Sequence, residues 1–138
     1  MIELLIVLTL ILIISGVAIP NFLTARARAN EASASASVRA VMSAQNLYRN
    51  TFGTFAELIS LGGDYLTDNL LASGEKSGYK FFSDPVSGST NLQFTVEATP
   101  VLSIGTSATG VRHYWGDQSA VIRFETTGPA SSGSSPLQ

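Results

Sequence analysis

The chain has 138 residues, enough for one ordinary core and too few for two. Charged residues make up 13% of it, about half the ~25% usual in a soluble domain, and the net charge of -2 gives no overall basic footprint for nucleic acid. With no Cys and a single His, His113, disulfides, thiolate metal sites and Cys nucleophiles are excluded, and a His-rich zinc site nearly so.

The apolar residues crowd one end. Glu3 is the only charge before Arg26, and the 22 residues from Leu4 to Ala25 carry none. As a helix they would span about 33 Å, enough for a ~30 Å hydrocarbon core. A helix apolar on every side cannot be buried inside so small a domain. A cleavable secretory signal would open with Lys or Arg, and this chain opens with Met1, Ile2 and an acid. The residues therefore favour a retained membrane helix. Arg26 and Arg28 flank its C-terminal end, and by the positive-inside rule they would hold the remainder in the cytoplasm. Export of the remainder needs a basic leader ahead of Met1, so the expectation is a processed or incomplete form. A carboxylate at Glu3 costs ~2.5–3.5 kcal/mol inside a bilayer. Either it sits among the headgroups, or it pairs with a cation in an assembly, the obvious one being an α-amino group.

Gly16 and Pro20 weaken the helix where the apolar block ends, which predicts a kink or melted turn there. The helical pattern then resumes. No Gly or Pro falls between Thr24 and Tyr48, and Ala34, Val38, Val41, Gln45, Tyr48 and Phe52 are spaced 4, 3, 4, 3, 4 along one face. Glu31, Ser35, Arg39 and Asn46 lie off that face. One helix from about residue 2 to 52 is predicted, about 75 Å long, so it must project from any globule this chain can form. Ala and Ser alternate from Ala32 to Ser37, as in a solvated linker helix or in a close helix–helix contact.

Gly53 ends the helix, and Phe55–Leu61 reads as a further helical turn before Gly62-Gly63. Asp64–Gly78 reads as a loop with one short turn. Four strands follow: Tyr79–Phe82, Leu92–Ala98, Val111–Trp115 and Ala120–Glu125. Ser87-Gly88-Ser89 turns between the first two, Ser103–Gly110 is a loop of small residues, and Gly116-Asp117-Gln118-Ser119 is a hairpin turn. The expected fold class is α+β: a long N-terminal helix, its apolar half projecting and its amphipathic half packed on a C-terminal antiparallel sheet of about four strands. The chain divides into an apolar helix half (1–25), an amphipathic half (26–52), a connecting loop (53–78), a sheet (79–127) and a flexible Ser/Gly/Pro tail (128–138).

Ile2-Glu3-Leu4-Leu5-Ile6-Val7, followed by Val17-Ala18-Ile19-Pro20-Asn21-Phe22-Leu23, closely resembles the N-terminus of type IV pilins and type II secretion pseudopilins, including the Glu3-to-Pro20 spacing. Arg28–Ala34 and Trp115–Arg123 extend the resemblance, more weakly, over nearly the whole chain. The resemblance implies a precursor with a short basic leader, which a prepilin peptidase removes before methylating the new N-terminus. It implies a subunit that waits in the inner membrane and then enters a helical homo-oligomeric filament through an assembly platform. Glu3 would neutralise the terminal amine of an adjacent subunit, and Leu4, Leu5, Ile6, Val7, Leu10, Ile14 and Phe22 would form the subunit contacts. Gly16 and Pro20 would mark the segment that loses helicity. Two departures stand out: family members usually carry two further residues ahead of the position of Met1, and their frequent mid-helix glycine is Leu12 here.

Other chemistry is weakly signalled. His113, Asp117 and Ser119 are the residue types of a catalytic triad, but they surround one hairpin without a nucleophile elbow, and catalysis is not expected. Asp64, Asp68, Asp84 and Asp117 are the calcium candidates in the sequence. They lack EF-hand spacing, so neither a metal nor another cofactor is expected. Arg26, Arg28, Arg39 and Arg49 share one helix and could meet nucleic acid or anionic lipid, though acids of neighbouring subunits or solvent are favoured. Phe22, Tyr48, Phe52 and Phe55 read as packing rather than as an aromatic path. Ser131, Ser132, Ser134 and Ser135, beside Pro136, are candidate glycosylation sites or part of a plain tail. Two functions remain: a major pilus subunit serving adhesion, twitching or DNA uptake, and a pseudopilin of a secretion machine.

Overall fold

The computed structural model describes residues 1–88, 92–105 and 107–137. Helix α1 runs from Ile2 to Phe52, 51 residues in one element. It stops at Gly53, whose φ of 76° places it in the left-handed region and turns its N–H back onto the Arg49 carbonyl at 2.7 Å. The helix continues through Gly16 and Pro20, so the melted turn expected there is absent from this chain on its own. Pro20 still has no N–H to give, and the Gly16 carbonyl lacks its usual donor.

A 3-10 turn, Leu58–Leu61, falls where a further helical turn is expected, and a short helix α2, Asn69–Ala72, supplies the one short turn expected in the loop after it. Asp68 caps α2 by accepting from the Leu70 and Leu71 amides, each at 3.1 Å. Beyond it lies an antiparallel meander: β1 Glu75–Lys76, β2 Tyr79–Pro85, β3 Phe94–Pro100, β4 His113–Asp117, β5 Arg123–Glu125 and β6 Ser135–Pro136. The strands number six rather than about four. The two extra ones are two-residue edge strands, too short to show alternation in sequence. The Ser87–Ser89 turn lies partly outside the described residues, which end at Gly88 on that side.

The core forms where the second half of α1 crosses β2, β3 and β4. Ala34, Val38, Val41 and Gln45 are buried as the stripe predicts, joined by Ser37, Met42 and Ala44. Phe52 is a correction, since it lies beyond the sheet and is exposed. Across from the helix, Tyr79, Phe81, Phe94, Val96, Ala98 and Tyr114 face inward. Gly116 makes the close approach possible, because a Cβ there would meet the Met42 sulfur at 2.8 Å.

Gln45 is fully buried and holds the far end of the domain together. Its Nε2 donates to the Ala56 carbonyl at 2.5 Å and to the Ser83 hydroxyl at 2.8 Å, and its Oε1 accepts from the Ala56 amide at 3.0 Å. Gln45→Leu would keep the volume and orphan these partners, each buried unsatisfied polar group costing about 1–3 kcal/mol. The expected loss is about 2–4 kcal/mol, read from denaturant unfolding of the detergent-solubilised chain by Trp115 fluorescence.

Candidate functional site

The feature without a partner inside the chain is the first half of α1. Leu4, Leu5, Ile6, Val7, Leu10, Ile14 and Phe22 are each more than half exposed, and none belongs to the core. All ten Leu, Ile and Val side chains between Leu4 and Ile14 are exposed. Burying what remains exposed of them, at about half of ~1.5–3 kcal/mol per side chain, is worth on the order of 10 kcal/mol. So large a contiguous apolar surface is the mark of a contact face for lipid or protein. By length and composition the helix can cross a membrane. Its polar atoms are already suited to such a setting, since Thr9 Oγ1 donates to the Ile6 carbonyl at 2.8 Å and Thr24 Oγ1 to the Pro20 carbonyl at 3.1 Å.

Glu3 is exposed one turn from the N-terminus and takes part in neither ion pair found among the described residues, Lys76–Asp68 and Arg112–Glu31. Gly16 is open as well, with nothing within 4 Å of where a Cβ would stand. The structure thus leaves Glu3, the apolar contact residues and Gly16 on one bare rod.

A collar joins this rod to the domain. Asn30 Nδ2 donates to the Thr109 carbonyl at 2.9 Å, and Glu31 Oε1 accepts from the Val111 amide at 2.8 Å and the Arg112 amide at 3.3 Å. Glu31 and Asn30 were missed as structural residues, because their partners lie about 80 positions away and no local pattern announces them. Gly110 sits against the buried ring of Tyr79, whose hydroxyl donates to the Arg112 carbonyl at 2.9 Å. Burial and the nearby Glu31 charge push the Tyr79 phenol well above its ordinary range. The loop so held folds back along the helix. Gly105 and Ala108 face Ile19, Pro20, Leu23 and Ala27 across a mostly apolar groove of about 510 Å³.

The remaining candidates are dispersed. Ser119 donates through both its amide and hydroxyl to Asp117 Oδ1, but His113 Nδ1 is buried without a partner, so the three form no relay. Asp68 caps α2 and pairs with Lys76 at 2.7 Å, which together hold its carboxyl below the usual range. Among the described residues no three His, Asp or Glu side chains gather as metal ligands. Arg26, Arg28, Arg39 and Arg49 are all exposed, and the last lies over the Phe55 ring at 5.2 Å. The aromatic residues do not form a path: Phe55 packs on Phe94 in the core, Tyr48 and Phe52 cluster with Tyr65, and Phe22 stands apart on the rod.

The described part of the C-terminal segment corrects the expected flexible tail. Ser135–Pro136 pairs with β5, Ala130 is buried, Leu137 packs against the core, and Arg123 donates to the Ser134 carbonyl at 3.0 Å. Ser134 is buried with its hydroxyl accepting from the Ser131 amide, whereas Ser131, Ser132 and Ser135 are exposed. No protein-family model matches this chain, and no curated protein matches it either.

Burial pushes the His113 imidazole below its ordinary value. The unfolded chain then binds the proton more readily, so stability is full above the unfolded value near ~6.5 and falls as pH drops toward the lower folded value. The thermal midpoint of the solubilised chain should decline between about pH 7 and pH 5, less steeply for His113→Gln. Superimposable pH profiles for the two proteins would contradict this.

Proposed function

We propose that this chain is a structural, non-catalytic subunit of a type IV pilus, held in the bacterial inner membrane by the first half of α1 and then packed by that same half into a helical filament on the cell surface. The observation that carries the reading is a 51-residue helix whose second half is built into a domain and whose first half is bare. Lipid covers the bare half before assembly, and copies of itself cover it afterwards. The exchange is feasible because both surroundings are apolar and because helix contacts in lipid rest on packing rather than on further apolar burial.

Glu3 supplies the specificity. Unpaired in a dry helix bundle, a carboxylate costs several kcal/mol, and an α-amino group on an adjacent subunit removes that cost and fixes the axial register. Leu4, Leu5, Ile6, Val7, Leu10, Ile14 and Phe22 provide the apolar contacts. Gly16 and Pro20 provide a stretch of weakened helix that can adjust on packing. A prepilin peptidase and an inner-membrane assembly platform are the partners this route needs. Ser- and Gly-rich composition in the 103–110 loop and the C-terminal residues favours a pilus over a secretion pseudopilus.

Filaments sheared from cells should contain this chain as their main subunit by intact mass, and they should be long in electron micrographs. Glu3→Ala should leave the membrane-held pool intact and abolish filaments. Breaking a buried pair costs ~3–5 kcal/mol, more than a hundredfold in subunit affinity. Normal filaments from Glu3→Ala subunits would overturn the pairing. A chain that stays in the membrane and sheds nothing would favour the pseudopilus.

A further inference from the structure

The loop from Val101 to Val111 carries no charged residue, yet it bears some of the most exposed apolar side chains on the domain. Ile104 is 89% exposed, more than any other large apolar side chain except Met1, and Leu102, Val101 and Val111 are exposed beside it. An isolated exposed Leu or Ile needs no explanation, but four in one uncharged loop do.

Their position supplies one. The loop is tied to α1 at Asn30 and Glu31, and its tip reaches back along the helix to the level of Ile19, Pro20 and Leu23. That is where the uncharged stretch ends at Ala25 and the first cations, Arg26 and Arg28, stand exposed. A helix inserted as far as its last uncharged residue therefore brings the loop tip to the membrane surface. The first acid after these arginines on α1, Glu31, is occupied by the Val111 and Arg112 amides and the Arg112 guanidinium. The face presented to the bilayer is then apolar at its tip and cationic at its rim, the pattern of an interfacial anchor.

We propose that this loop is a second membrane contact. Ile104 and Leu102 enter the headgroup–acyl boundary, Arg26 and Arg28 meet headgroup phosphates, and lipid fills the groove between the loop and Ile19–Ala27. The contact sets how the domain leans on the bilayer before assembly, and it must be released when the subunit is extracted. The inference rests on the membrane reading of the first half of α1.

The absence of Cys makes a direct test simple. Three full-length variants, Leu8→Cys, Ile104→Cys and Ile59→Cys, each receive one environment-sensitive fluorophore. They are reconstituted at low density in vesicles of phosphatidylethanolamine and phosphatidylglycerol. Ile59 is exposed three residues after Ala56, which Gln45 binds, and Gln45 is 25 helical residues or about 37 Å beyond Pro20. The expected result is deep-lipid quenching of the label at position 8, and shallow-lipid quenching with a blue shift at position 104. The label at position 59 should report water. If position 8 is deep while position 104 behaves like position 59, the loop contact is overturned and the membrane reading stands. If position 8 is not reached by deep quenchers, the membrane reading falls and the loop contact with it. Shielding of position 104 that arises only in assembled filaments would assign the loop to a second copy of the chain and overturn lipid as its occupant.

Discussion

The 22 uncharged residues from Leu4 to Ala25 are mostly apolar, and among the described residues none of them enters the core. The domain core is already filled by the sheet and the second half of the same helix. Everything else in the structure is arranged around that constraint. The helix is long because one half must reach out of the domain. The domain is small because it has only one helix stripe and one sheet face to bury.

The domain grips the helix in two places, and the grips differ in kind. At the far end Gln45 is a buried polar clamp with three partners in a dry setting, where every donor must be matched. At the near end Asn30 and Glu31 are half-buried and hold the backbone of a loop. Between them the contacts are apolar, with Val38 and Met42 settled against Gly116. A helix held by the domain at two points of its second half ties the orientation of the domain to that of its bare half. In the proposed filament, contacts among the bare halves would then dictate how neighbouring domains are placed.

The long helix and its stripe were legible in the sequence because a 3.6-residue period over about five turns has no competing explanation. The central strands were legible from alternation, although most of their limits moved by two or three residues. Ala120–Glu125 shortened to Arg123–Glu125, with Ala120 taking a positive φ in the turn that Asp117 organises through the Ser119 amide. What escaped was non-local. β6 has two residues, and only its neighbour β5 makes it a strand. Glu31 looked like a solvated side chain on the wrong face, because its partners arrive from the other end of the chain. The exposed helix half was legible in full, since a surface defined by lacking internal partners needs no long-range information.

The claim on which the account depends is that copies of this chain cover the first half of α1. Electron cryomicroscopy of filaments formed by the full-length chain tests it most directly. The expected map shows helices bundled along the filament axis, residues 2–25 free of solvent, and each Glu3 carboxylate within hydrogen-bonding distance of a neighbouring terminal amine. Filaments held together by sheet contacts, with residues 2–25 lying outside the bundle or facing water, would contradict it.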